Sequence, residues 1–256
     1  MLRQDLSSAR WVARAVGGSS DAPERVRDAD VPASVPGCIH TDLIRAGLIG
    51  DPCVGFNEVE IQWIGRTDWE YRAAFDADPA LLAEERWDLV FDGLDTVATV
   101  LLNGEPVGEA ANMFHPHRFD VRRVLREGLN ELTVRFGAPL SHIRDMEARL
   151  GARPVNGDWD PFNFMRKAAC NFGWDWGPKV ATVGIWKPVR IEAWSTARLA
   201  SVRPLVIRED DTRWRVSVRS EVEHADPGHA RAIRLTATLR EPDQSNAEDS
   251  RLVAGA

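Results

Sequence analysis

Short apolar runs of β type recur along the chain with turn residues between them, and helical periodicity is sparse. Trp87–Phe91 is followed by Gly93, and Thr96–Leu102 runs into Asn103-Gly104, a strong signal for a tight hairpin turn. Glu131–Phe136 and Val189–Trp194 supply further strands, and in the second Val189, Ile191 and Ala193 alternate with Arg190, Glu192 and Trp194. Thr41–Gly47 reads as a short, glycine-terminated helix, and Arg122–Arg126 as a single turn. Many strands, no βαβ rhythm: the pattern predicts an all-β sandwich over residues 1–196.

Beyond Trp194-Ser195-Thr196-Ala197 lie three candidate strands, Val202–Ile207, Arg213–Val222 and Ala232–Leu239. Trp214, Val216, Val218, Ser220 and Val222 fall on one face of the second. An immunoglobulin-like sandwich takes about seven strands and roughly 100 residues. Residues 197–256 are therefore expected to be an incomplete immunoglobulin-like domain, with a polar tail from Glu241 to Ala256.

Net charge is −7, which argues against a nucleic-acid partner. Cys38, Cys53 and Cys170 form no CxxC pair, so buried free thiols in a reducing compartment are expected, with no metal. Charges crowd the first eleven residues and no run of 18 apolar residues occurs, which leaves a cytoplasmic protein without a membrane partner as the expectation. No cofactor motif is present. Ten tryptophans against one tyrosine is an unusual ratio that fits carbohydrate handling.

The chemistry concentrates in Gly173-Trp174-Asp175-Trp176-Gly177-Pro178. In an extended strand both indoles would point one way and Asp175 the other; the glycines and Pro178 favour a loop, where all three could converge. Aromatic faces cover the C–H patches of a sugar while a carboxylate accepts its hydroxyls. The competing reading is a pair of core tryptophans beside a turn that Asp175 caps. His115 and His117 have a metal-like spacing without a third ligand nearby. Arg166 and Lys167 either orient Asp175 or face solvent, Asn57-Glu58 reads as a loop acid, and His40 fits a helix-entry or domain-contact role.

Four stretches together resemble the β-mannosidases among the family-2 glycoside hydrolases: Val35–Leu43 running on to Pro52; Asn57-Glu58 with Gln62–Tyr71; Phe91–Ala98 with Leu102-Asn103-Gly104, Asn112-Met113-Phe114 and His117-Arg118; and Phe172–Pro178 with Gly184-Ile185-Trp186. The likeness covers about residues 11–196. It implies a galactose-binding-like jelly roll, then an immunoglobulin-like domain, then a (β/α)8 barrel holding two catalytic glutamates. It also implies that Trp174, Asp175 and Trp176 contact the terminal mannose of a β-mannoside oligosaccharide, with one indole walling the sugar and the other packed in the core. A barrel takes about 250 residues, so these 256 residues are expected to carry the N-terminal portion only, neither catalytic glutamate, and no activity alone. The alternatives are a free-standing carbohydrate-binding module and a non-catalytic interaction domain.

Overall fold

The computed structural model describes residues 1–18, 22–27, 29–155, 160–229 and 232–240. Its contacts divide the chain into two units, Leu2–Ala193 and a unit of Met1 with Trp194–Ala256.

The first unit is a jelly-roll sandwich of two antiparallel sheets. One comprises, in spatial order, β3 (Val31–Ala33), β2 (Trp11–Gly18), β4 (Thr67–Ala77), β9 (Gly128–Phe136), β6 (Val97–Leu102) and β7 (Glu105–Ala111). The other runs β1 (Leu2–Asp5), β10 (Val189–Trp194), β5 (Arg86–Phe91), β8 (His117–Asp120). Strand β4 shows the period-two logic over its length: Thr67, Trp69, Tyr71, Ala73, Phe75 and Ala77 are all buried, while on the other face Asp68, Arg72, Ala74 and Asp76 are not and only Glu70 is. Tyr71 meets Phe136 of the neighbouring strand edge-on, with ring centroids 5.6 Å apart. The Asn103-Gly104 turn forms as the sequence indicates, both residues adopting positive φ, 54° and 84°.

Strand β10 keeps its alternation, with Val189, Ile191 and Ala193 in the core. On its other face Glu192 is buried too, because Arg118 and Arg190 cover and pair its carboxylate. The longest described helix escaped the sequence reading, as did three of one turn. Pro139–Leu150 sets Leu140 and Ile143 against Met165, Phe172 and Ala181, a small second cluster that supports the segment leading to the tryptophan pair.

The segment after Val35 docks on the sandwich through its backbone: Gly37 N donates to Ile185 O at 2.9 Å and Ile39 N to Val183 O at 2.8 Å. Gly184, between those acceptors, has φ 156°, and a Cβ there would lie 2.7 Å from Gly37 O. Only glycine fits so close an approach.

In the second unit β11 (Ala197–Arg208) pairs antiparallel with β12 (Trp214–His224). Opposite neighbours Val206↔Val216 and Pro204↔Val218 put an apolar row on one face. That face is open, with Val202, Val206 and Trp214 all more than half exposed. Ala232–Leu239, expected as a third strand, is not one; the tail Glu241–Ala256 lies outside the described residues.

Candidate functional site

Trp174, Asp175, Trp176 and Gly177 form a tight turn, neither an extended strand nor a buried one. Trp174 N donates to Gly177 O and Gly177 N to Trp174 O, each at 3.3 Å, which closes the turn on itself. Asp175 occupies the tip, exposed, and among the described residues no hydrogen-bond partner approaches its carboxylate. Trp174 is 42% exposed and Trp176 72%, with ring centroids 6.4 Å apart and planes 37° from parallel. The expectation that one indole packs in the core is therefore corrected: the four-residue turn leaves no length to send either ring back into the sandwich. Among the described residues Asp175 caps no backbone donor either.

A buried ionic cluster ties together the two feet of the loop that carries the turn. Lys167 Nζ, fully buried, donates to both Asp95 oxygens, to Thr182 O at 2.9 Å and to Thr182 Oγ1 at 2.8 Å. The Thr182 hydroxyl in turn donates a hydrogen bond to Asp95 Oδ2 at 2.6 Å, and Thr96 donates to Oδ1. Asn171 Nδ2 reaches Val180 O at 3.3 Å and Thr182 Oγ1 at 3.2 Å. Residues 167 and 171 on one foot are thus bonded to 180 and 182 on the other. Lys167 does not orient Asp175, since its ammonium is spent on Asp95, and Arg166 is exposed. Burial lowers the Lys167 pKa from the usual lysine value, with the Asp95 carboxylate opposing the shift.

Glu58 turns out to hold the loop from the side. Its Oε2 accepts Lys179 N at 2.8 Å, while Gln62 Nε2 donates to Lys179 O at 2.9 Å and to Glu58 O at 2.6 Å.

His40 and Asp42 lie in the helix Ile39–Arg45, both buried. Burial first, and the Lys167 charge second, hold the His40 pKa down at about 3, and its Nδ1 has no hydrogen-bond partner among the described residues. Burial raises the Asp42 pKa to about 6, although Ser34 N and Arg45 Nη1 both bond Oδ1 at 3.0 Å. Beside this helix a cavity of about 520 Å3 is lined by Gly37, Cys38, Arg45, Asn171, Thr182 and Trp186, among others. None of Trp174, Asp175 and Trp176 lines it. His117 Nε2 lies 2.9 Å from Asn112 O, and no group of three metal-binding side chains exists among the described residues.

Sequence reasoning missed Asp95, Asn171 and Thr182 as parts of the loop's base, and Gln62 as its clasp. Asp95 and Gln62 stood inside motifs already singled out, but nothing local signals a partner that lies 72 residues away, as Lys167 does for Asp95.

The first unit is thus a jelly roll that lifts two indoles and a carboxylate out of its surface. A family model described as glycosyl hydrolase 2 galactose-binding domain-like matches residues 11–187, and the chain belongs to that family. Among curated relatives, a beta-mannosidase of Bos taurus is 39% identical over 177 residues, 66% of this chain and 20% of the relative. Beta-mannosidase B of Thermothelomyces thermophilus is 40% identical over 183 residues, 66% of this chain and 21% of the relative. The crystal structure of a beta-D-mannosidase from Dictyoglomus thermophilum superposes with a TM-score of 0.79 at 38% identity, over 88% of this chain and 26% of that one. An exo-chitosanase from Amycolatopsis orientalis, at 16% identity and a TM-score of 0.60 over 88% of this chain and 24% of that one, shares the fold. The chain spans about a fifth to a quarter of the length of these relatives.

Proposed function

We propose that this chain is the N-terminal part of a β-mannosidase that removes terminal, non-reducing β-D-mannose from oligosaccharides, and that Trp174, Asp175 and Trp176 contact that sugar. The carrying observation is the exposed turn: a carboxylate at the tip, without a hydrogen-bond partner among the described residues, between two solvent-facing indoles. Exposing large aromatic rings costs free energy that a binding surface recovers on contact. The tilted indoles present apolar walls to the C–H faces of a pyranose, and Asp175 accepts charge-assisted hydrogen bonds from its hydroxyls. A rigidly held acceptor aligns the anomeric carbon for attack, so sugar recognition here contributes to rate as well as affinity.

The bond-breaking step belongs to a barrel partner. A retaining glycosidase needs two carboxyl groups about 5–5.5 Å apart, one as nucleophile and one as acid/base; in this reading both are barrel glutamates. The 256-residue chain alone is accordingly expected to leave a chromogenic β-mannoside untouched. Turnover above a heat-killed control would overturn that part.

The test of the site is Asp175→Asn in an enzyme where this chain is joined to its barrel. Asparagine keeps size and one acceptor oxygen but removes charge. The expected result is a fall in kcat/KM on a β-mannoside of roughly tenfold to a thousandfold, at unchanged melting temperature. Unchanged kinetics would remove Asp175 from the site, and a matched loss of activity and stability would make it structural.

A further inference from the structure

Segment Asn57–Glu60 buries none of its own residues and adds nothing to the sandwich core. It nevertheless heads a short stretch that sends two side chains, Glu58 and Gln62, to the N–H and the C=O of one residue, Lys179. Two-sided capture of a residue is what a neighbouring strand does with its backbone; here side chains do it across 117 residues of sequence or more. The Glu58 bond is charge-assisted and so the stiffer of the two.

Lys179 stands two residues beyond Gly177, which closes the tryptophan turn. Between them is Pro178, whose ring fixes φ, so a displacement of Lys179 is passed to the turn rather than absorbed. On the other side, a Cβ placed on Gly173 would lie 3.6 Å from Lys179 Cβ, in ordinary contact. The Lys167 cluster fixes the feet of the loop, and at Lys179, two residues from the turn, a segment outside the loop grips it by its backbone.

We propose that Glu58, assisted by Gln62, is a positioning residue that sets where Asp175 stands against the bound sugar, acting through the Lys179 peptide. This rests on the reading of the turn as the sugar contact. Glu58 does not touch substrate in this scheme, and its effect is carried wholly by the turn.

The experiment is a double-mutant cycle in the barrel-bearing enzyme with Glu58→Ala, Asp175→Asn and their combination, assayed on p-nitrophenyl β-mannoside. Glu58→Gln serves as the conservative rescue, because its amide oxygen still accepts from Lys179 N. A misplacement near 1 Å at a reacting site costs up to about a hundredfold, so Glu58→Ala is expected to lower kcat/KM by about 5-fold to 50-fold. Its melting temperature should stay within about 2 °C of the parent, and Glu58→Gln should recover most of the activity. With Asp175 already replaced, Glu58→Ala should cost no more than about a further twofold. In parallel, hydrogen exchange on the 256-residue chain should show faster exchange at residues 174–179 for Glu58→Ala and not for Glu58→Gln.

Full multiplicative loss in the double variant would overturn the proposal, as would parental kinetics for Glu58→Ala. So would an activity loss that follows a fall in melting temperature and is not rescued by Glu58→Gln. If Asp175→Asn alone leaves kinetics unchanged, the sugar-contact reading fails and the proposal with it, whereas the exchange data then still report whether Glu58 holds the turn.

Discussion

His40 gives the residue scale its sharpest pH signature. An unfolded His40 takes a proton near 6.5, whereas the folded one stays neutral down to about 3 because it is buried and faces Lys167. Across that window the unfolded state holds the extra proton, so stability is lost as pH falls, by at most about 1.4 kcal/mol per pH unit from this residue. Asp42 has the opposite sign: raised from 3.8 to about 6, its folded carboxyl holds the extra proton between those values and gains stability as pH falls. Comparing His40→Gln with the parent cancels Asp42. The melting temperature of the variant should drop less between about pH 7 and about pH 4.5; equal drops would show that His40 is not held neutral. Lys167 offers a second test at this scale. Lys167→Met leaves Asp95 buried without its cation and should cost about 3–5 kcal/mol in urea unfolding. Adding Asp95→Leu should recover part of that loss, since the unpaired charge, more than the missing bond, is what destabilises.

At the scale of elements, the loop from Lys167 to Thr182 shows why some of the molecule was legible in sequence and some was not. Strands announced themselves where a β-type run ended in turn residues, as in β6, whose burial alternates strictly, whereas β4 went unread although one of its faces is buried throughout; the Asn103-Gly104 turn is fixed by two adjacent residues that tolerate positive φ. The helix Pro139–Leu150 was invisible because only Pro139, Leu140 and Ile143 of its twelve residues are buried, too few to mark a face. The site was legible as a motif and illegible as a geometry. Glycines and Pro178 pointed to a loop; that Lys167, Asp95 and Glu58 bond its base was illegible, because their partners are remote in sequence. One consequence is measurable. A core tryptophan cut to alanine costs about 3–5 kcal/mol, but Trp176, mostly exposed, should tolerate Trp176→Ala within about 0.5 kcal/mol. Sugar affinity should fall while the melting curve stays put. A large loss of stability would mean that Trp176 packs against something in solution.

For the whole molecule, the two units differ in what they bury. The sandwich encloses one continuous core that includes Trp11, Trp69, Tyr71, Phe91 and Phe136, whereas the β11–β12 hairpin leaves Val202, Val206 and Trp214 in water. A two-stranded ribbon with an open apolar face is marginal in isolation. Amide exchange should be slowest in β4 and β9 and fastest in β11 and β12. Equal protection in the hairpin would show that its open face is covered in solution.

The distribution of indoles between interior and surface makes the protein its own optical reporter. Tyr71 is the single tyrosine, so ultraviolet emission comes from tryptophan. Trp11, Trp69 and Trp194 are sealed from solvent, while Trp174, Trp176 and Trp214 face it. Iodide in solution should therefore quench the red edge of the emission and leave the blue edge bright. With Trp214→Phe in place, the exposed rings among the described tryptophans are the two beside Asp175, and a saccharide seated there would shield them from the ion.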